Sequence, residues 1–242
     1  MAPILALETI SKRFGAVVVA EGIDLALHEG EALGIIGPNG AGKTTLFGIA
    51  TGTVAPDGGR VLLGNEDITR LPPERRCRKG LARSFQVPQP FTGMTVFENV
   101  VVAAAFGASE REALVYERCA DLLERCGLAG KANRPAGGLA LLDGKRLELA
   151  RALATKPRVL LLDEVAGGLT ELECAALVTL IKEVCASGVS IIWIEHVVHA
   201  LLAVIDRLLV LHAGKFIAEG DPGTVIRSPQ VAEIYLGIDA DA

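Results

Sequence analysis

Apolar residues in this chain come in two patterns, and together they predict alternating strands and helices. Over Ile4–Thr9, Ala16–Val19 and Ile23–Leu27 apolar and polar positions alternate as in half-buried strands, with turn-like Gly15 and Glu29-Gly30 between them. Ala32 to Ile36, Val159 to Leu162 and Val189–Ile194 are instead continuous apolar runs, the pattern of parallel strands buried on both faces. Arg60–Leu63 and Leu81–Phe85 read as short strands. Arg207–Leu211 and Lys215–Ala218 flank His212-Ala213-Gly214 as a hairpin. Helical spacing marks Thr44 to Ile49, residues 171–186 up to the stop at Gly188, and a terminal section over 221–237.

From Pro88 the texture changes. Residues 95–106 carry Val96, Val100, Val101 and Ala104 at helical spacing, and 110–126 carry Leu114, Tyr116, Leu122 and Leu123. In Leu139–Leu153, Arg146, Glu148 and Arg151 alternate with Leu147, Leu149, Ala150 and Leu153 on an amphipathic helix. No strand is expected before about residue 158, so a helical subdomain interrupts the β/α alternation. The expected division is one domain over 1–242, with a core and β subdomain at about 1–88 and 156–242. The helical subdomain covers about 89–155.

Composition narrows the class. The 242 residues are 50% hydrophobic, enough for a full α/β core and too many for disorder. No apolar run reaches the roughly 18 residues of a membrane span, and no secretion signal opens the chain, so a cytoplasmic protein is expected. The net charge of −5 argues against nucleic acid as a partner. The five cysteines include no C-x-x-C pair, which fits reduced thiols; Cys119 and Cys126 read as core filling. Arg75, Arg76, Arg78, Lys79 and Arg83 form a locally basic segment that reads as a solvated helix face.

Chemistry concentrates at Gly37-Pro38-Asn39-Gly40-Ala41-Gly42-Lys43-Thr44, a Gly-x-x-x-x-Gly-Lys-Thr phosphate loop between a predicted strand and a predicted helix. Its glycines let successive N–H groups point at an anion, assisted by the positive end of the helix. Lys43 reaches the terminal phosphates of a nucleoside triphosphate in such a loop, and the Thr44 hydroxyl serves Mg²⁺. The strand ending in Asp163-Glu164 supplies the second acidic partner: Asp163 for the Mg²⁺, Glu164 to orient and deprotonate water. Gln86 ends one strand and His196 follows another, where α/β sheets hold ligands; the His can donate to a γ-phosphate. His196 and His199 lack an evident third metal ligand. Phe14, just ahead of Gly15, is either core or a platform for a base.

In their order, GPNGAGKTT at 37–45, Gln86, RLELARAL at 146–153, VLLLDE at 159–164 and His196 resemble the ATP-binding subunit of an ABC transporter. RSFQ at 83–86, MTVFENV at 94–100 and YLG at 235–237 are similar to the branched-chain (hydrophobic) amino-acid uptake family. The resemblance runs from about residue 4 to 238. It implies an α/β fold: a P-loop NTPase (RecA-like) core with an N-terminal antiparallel β subdomain and an inserted helical subdomain. It implies ATP and Mg²⁺ as cofactors, bound by Gly37 to Thr45 (Thr45 included) and Asp163, with Phe14 stacking on adenine. Thr44, Gln86 and Asp163 would serve the metal, Glu164 would be the general base and His196 the γ-phosphate switch. Implied partners are integral-membrane permease subunits, a second ABC ATPase subunit in a head-to-tail pair, and indirectly a periplasmic or extracellular binding protein. The implied location is the cytoplasmic face of the cell membrane, with Pro88 to Phe97 facing the permease or else packing the helical subdomain.

Three positions depart from that family pattern. Where Leu-Ser-Gly-Gly-Gln is usual, the chain has Leu139-Ala140-Leu141-Leu142-Asp143. Val165 replaces the usual proline, and Thr170 stands where Asp or Asn is usual. Asp143 is expected to bring a negative charge toward phosphate. Two other readings remain at this level: a soluble ABC ATPase acting on ribosomes or DNA, and a regulatory module that holds ATP without turnover.

Overall fold

The computed structural model describes residues 2–108 and 115–236. Two sheets carry the fold. In the first, β1 (Leu5–Phe14), β2 (Val17–Leu27), β4 (Gly58–Leu63) and β5 (Glu66–Asp67) are all antiparallel, in the order β2-β1-β4-β5. The three strands expected before residue 30 are thus two long ones. Polar Ser11-Lys12-Arg13 continues β1, and β2 joins the predicted Ala16–Val19 and Ile23–Leu27 through Gly22. The far end of this hairpin is largely exposed, so its side chains carry no apolar signal. Register shifts after Leu7 and Ile10 break the alternation further.

The second sheet has the order β10-β9-β3-β8-β7-β6. Its strands are β3 (Ala32–Ile36), β6 (Leu81–Arg83), β7 (Val159–Asp163), β8 (Ser190–Ile194), β9 (Arg207–His212) and β10 (Lys215–Gly220). All neighbours are parallel except the β9–β10 hairpin. Every residue of β3, β7 and β8 is buried, as their continuous apolar runs require. One apolar cluster lies between the sheets around α1 (Lys43–Thr51), while the other joins the opposite face to the helices. Strand β6 is shorter than expected. The Ser84 N–H still bonds Leu161 O, and the chain then leaves the sheet as a loop.

Between β6 and β7 the regular elements among the described residues are all helices, apart from one isolated bridge, Thr95 to Pro135. Helix α2 (Pro73–Arg78) precedes β6; α3 (Val96–Gly107) starts at a reciprocal Thr95/Glu98 capping box. Residues 110–114 of the helix predicted over 110–126 lie outside the described residues, and α4 covers Tyr116–Arg125. Cys119 and Cys126 are buried. Helix α5 runs Leu141–Ala154, and α6 is Glu171–Ala186 as the spacing predicts. After β8 come α7 (Val198–Leu202) and, beyond β10, α8 (Pro222–Ile226) and α9 (Pro229–Leu236). Gly237 of the YLG ending lies outside the described residues.

The basic segment corrects its reading. Arg75, Arg78 and Lys79 are exposed, but Arg76 is only 2% exposed and donates to Ile49, Ala50, Thr69 and Leu71 carbonyls. Arg83 turns inward as well, toward Asp163. Sequence charge says nothing of which arginine finds bare carbonyls or a carboxylate after folding.

Candidate active site

Strand β3 delivers the chain to Gly37 and α1 leads it away from Gly42, so the phosphate loop lies at the carboxyl edge of the parallel sheet. Two glycines are required by crowding. A Cβ on Gly37 would lie 2.2 Å from Leu211 O; one on Gly42, where φ is +103°, would lie 2.6 Å from Val19 O. Lys43 is buried, and its Nζ donates to Gly37 O (2.7 Å) and Pro38 O (3.0 Å). Burial pushes its pKa down, against the attraction of the Glu164 and Asp163 charges. A cleft of about 520 Å³ opens on Asn39 to Thr45, with Val19, Gln86, Glu164 and His196 around it.

Strand β7 presents its two acids differently. Asp163 is buried, and its Oδ2 accepts from Arg83 Nη2 at 2.5 Å. Glu164 leaves the strand in the left-handed region, at φ +48°. Its N–H bonds Ile194 O at 2.8 Å and its carbonyl accepts from Lys145 Nζ at 3.2 Å. This turn aims the carboxylate at the cleft. Gln86 Nε2 donates to Oε2 at 2.6 Å, and His196 Nε2 stands 3.0 Å from Oε1. Three residues from separate parts of the sequence therefore converge beside the phosphate loop, on the loops after β6, β7 and β8.

Phe14 does not line this cleft. It is half exposed near the end of β1, with the Lys12 ammonium 5.2 Å from its ring centre, and Val19 on β2 provides the cleft's apolar contact. Val19 was missed because only the β1–β2 and β2–P-loop packing brings it here. Glu195 was missed too. It is fully buried, takes the N–H groups of Ala166, His196 and Val197 and the Trp193 indole N–H, and so fixes the loops after β7 and β8. Lys145 on α5 is buried and feels both Glu195 and Glu164.

The unusual positions acquire structural roles. Asp143 is buried and ion-paired with Lys131, so it does not offer a free charge to phosphate, contrary to expectation. Thr170 caps α6 in a reciprocal box with Glu173, and Val165 is core. At the head of α5 Ala140 gives no side-chain cap, and Leu141 lies about one half exposed, against Gly168.

A phosphate loop on a parallel sheet, a helical insertion and a Gln/Glu/His cluster after three strands define an ATP-binding cassette. Residues 20–167 match the ABC transporter family, and the chain belongs to it. The chain is 38% identical to the high-affinity branched-chain amino acid transport ATP-binding protein BraF of Pseudomonas aeruginosa, over 97% of this chain and 98% of that one. The corresponding LivG of Escherichia coli is 37% identical over the same shares. Among solved structures, an ABC transporter cassette in its ADP conformation superposes with a TM-score of 0.88 at 32% identity, covering 98% of this chain and all of that one. A nucleotide-free cassette gives 0.87 at 32% identity. The chain is thus the ATP-binding, ATPase component of an ABC transporter, not a soluble ABC protein of another kind.

Proposed function

We propose that this subunit energises import of branched-chain amino acids or a related small hydrophobic or organic-acid substrate. The observation that carries catalysis is the Glu164 carboxylate held between Gln86 and His196 at the mouth of the phosphate loop. From there Glu164 orients the attacking water and takes its proton, while His196 and Lys43 face the terminal phosphate. Lys43 exchanges the Gly37 and Pro38 carbonyls for phosphate oxygens when nucleotide enters. The substrate class follows from BraF and LivG, which are named for branched-chain amino acid transport.

The donor set fits Mg²⁺. Among the described residues no group of three or more His, Cys, Asp or Glu forms a protein-only cage. One carboxylate, Asp163, with the Thr44 hydroxyl and Gln86 amide suits an ion that borrows its other ligands from phosphates and water. Bound there, the ion would neutralise developing charge on the phosphates.

No described helix is long and apolar enough to cross a membrane, so attachment rests on partners. The permease partner is assigned to the groove between the sheet and the helical layer, lined by Cys77, Phe85, Ala103 and Ala152 beside exposed Val87 and Phe91. The unit then acts as one domain at the cytoplasmic face of the membrane. It pairs head-to-tail with a second ATPase chain. Because Ala140 lacks a hydroxyl and Leu141 and Leu142 replace the usual glycines, the site that uses residues 139–144 is the slower one.

The test is reconstitution with permeases, binding protein and partner ATPase. Glu164→Gln should keep ATP bound and cut substrate-stimulated turnover by about 10² or more, the scale of a lost general base. The matching change in the partner should cost little. Equal losses refute the asymmetry; an unchanged rate in Glu164→Gln refutes the catalytic assignment. Failure of leucine, isoleucine and valine to stimulate turnover refutes the substrate class.

A further inference from the structure

The Asp163 carboxylate already has a cation. Arg83 Nη2 lies 2.5 Å from its Oδ2, and the two side chains are 10% and 4% exposed. Parallel pairing of β6 with β7 places Arg83 opposite Leu161, so the guanidinium reaches the strand end where Asp163 stands. The rings of Phe47, on the helix that follows the phosphate loop, and Phe85, next to Gln86, flank it with centres 5.6 Å and 5.1 Å away. Its Nε is buried and makes no hydrogen bond among the described residues, so the ion pair with Asp163 is its polar anchor. Lys43, whose charge also acts on Asp163, has its ammonium on the Gly37 and Pro38 carbonyls.

We propose that Arg83 is a positioning residue that stands in for the divalent cation at Asp163. It holds one carboxylate oxygen and cancels the charge, so the site takes up its ion only together with nucleotide. The inference rests on Asp163 as the cation ligand. A buried carboxylate with no neighbouring positive charge would attract a divalent ion by itself, because the low local dielectric strengthens that attraction. With Arg83 in contact the net charge is near zero. The nucleotide phosphates then bring the negative charge that the ion needs, and Asp163 offers its remaining oxygen already oriented. Uptake of metal and nucleotide becomes one event.

The experiment follows Mn²⁺, a paramagnetic stand-in for Mg²⁺, by the loss of its free-ion resonance signal on binding. The wild-type chain should bind Mn²⁺ weakly without nucleotide and much more tightly with ADP. Arg83→Gln removes the charge while keeping a polar side chain, and should tighten nucleotide-free Mn²⁺ binding about tenfold, the scale expected from removing one nearby cation. Arg83→Met should do the same, whereas Arg83→Lys should behave as wild type. Adding Asp163→Asn to Arg83→Gln should abolish the gain. Equal nucleotide-free affinity in wild type and Arg83→Gln overturns the proposal. So does tight nucleotide-free Mn²⁺ binding by the wild-type chain, which requires no variant to fold. Unchanged Mn²⁺ binding by Asp163→Asn in the presence of ADP would instead refute Asp163 as the ligand, a separate outcome.

Discussion

Replacing Arg76 by methionine tests whether a buried arginine closes the end of the phosphate-loop helix. The last turn of α1 leaves backbone carbonyls without helical partners. Arg76 Nη1 donates to Ala50 O, one of these, and to Ile49 O, which also accepts the Gly52 N–H at 3.3 Å; both Arg76 bonds are 2.7 Å and buried. Its Nε and Nη2 reach Leu71 O (2.9 Å) and Thr69 O (2.7 Å), which border a surface groove. After substitution water can take over at Leu71 and Thr69, and Ile49 O keeps the Gly52 N–H, but Ala50 O is left buried without a donor. Charge-assisted bonds of this kind are worth about 1.5–3 kcal/mol, so the loss at Ala50 with the smaller loss at Ile49 gives about 3 kcal/mol for Arg76→Met. Methionine fills much of the volume, which keeps a cavity term small. In urea unfolding, with a slope of about 3 kcal/mol per molar, the midpoint should fall by about 1 M at unchanged slope. Arg76→Lys should recover little, because a single ammonium cannot reach four carbonyls that the fork serves. A loss below about 1 kcal/mol at constant slope would mean that the helix end does not depend on this side chain.

Two further substitutions and a labelling experiment follow from the same geometry. Gly42→Ala places a methyl 2.6 Å from Val19 O at φ +103°, so nucleotide affinity by calorimetry should fall at least about tenfold, and near-normal binding would refute the tight fit. Glu195→Gln keeps one acceptor oxygen and turns the other into an NH2 donor, so either the Ala166 N–H or the His196 and Val197 N–H groups lose their acceptor; it should lower turnover more than nucleotide affinity, and equal losses would refute a role in holding the two loops. Burial pushes the Cys126 thiol up to about 12. At pH 8 only about 10⁻⁴ of it is thiolate, so iodoacetamide should leave it unmodified in the native chain and label it on unfolding, as mass spectrometry would show.

Much of the site is legible in the sequence because its chemistry lies in short contiguous motifs at strand ends. The loop from Gly37 to Thr44 and the pair Asp163-Glu164 each carry their context with them, an apolar run on one side and a turn or helix on the other. What stayed hidden depends on contacts across the fold. Arg76 and Arg83 look like their exposed neighbours Arg75 and Arg78 until the end of α1 and Asp163 are placed beside them. Asp143 reads as a threat to phosphate until Lys131, twelve residues away, is seen to pair with it. At the β1–β2 hairpin the strand lengths failed for a related reason: its outer end is held by backbone pairing and by Asp57, which takes Lys12 Nζ and Arg13 N, rather than by apolar burial.

The loop that carries Gln86 is fastened at both ends. At one end Ser84 N–H bonds Leu161 O of the sheet at 2.9 Å. At the other, Glu148 and Arg151 of α5 grip the Gln89 backbone, the carboxylate taking its N–H (2.9 Å) and the guanidinium its carbonyl (2.7 Å). Phe85, Gln86, Val87 and Pro88 lie between those fastenings, and the five-residue step from Ser84 N to Gln89 N spans at most about 18 Å when pulled straight. It is a short tether. A swing of the helical layer against the sheet acts directly on this tether, whose middle carries the Gln86 amide and its 2.6 Å bond to Glu164. The same few residues thus join the sheet, the helix α5 and the Glu164 carboxylate through one continuous piece of backbone.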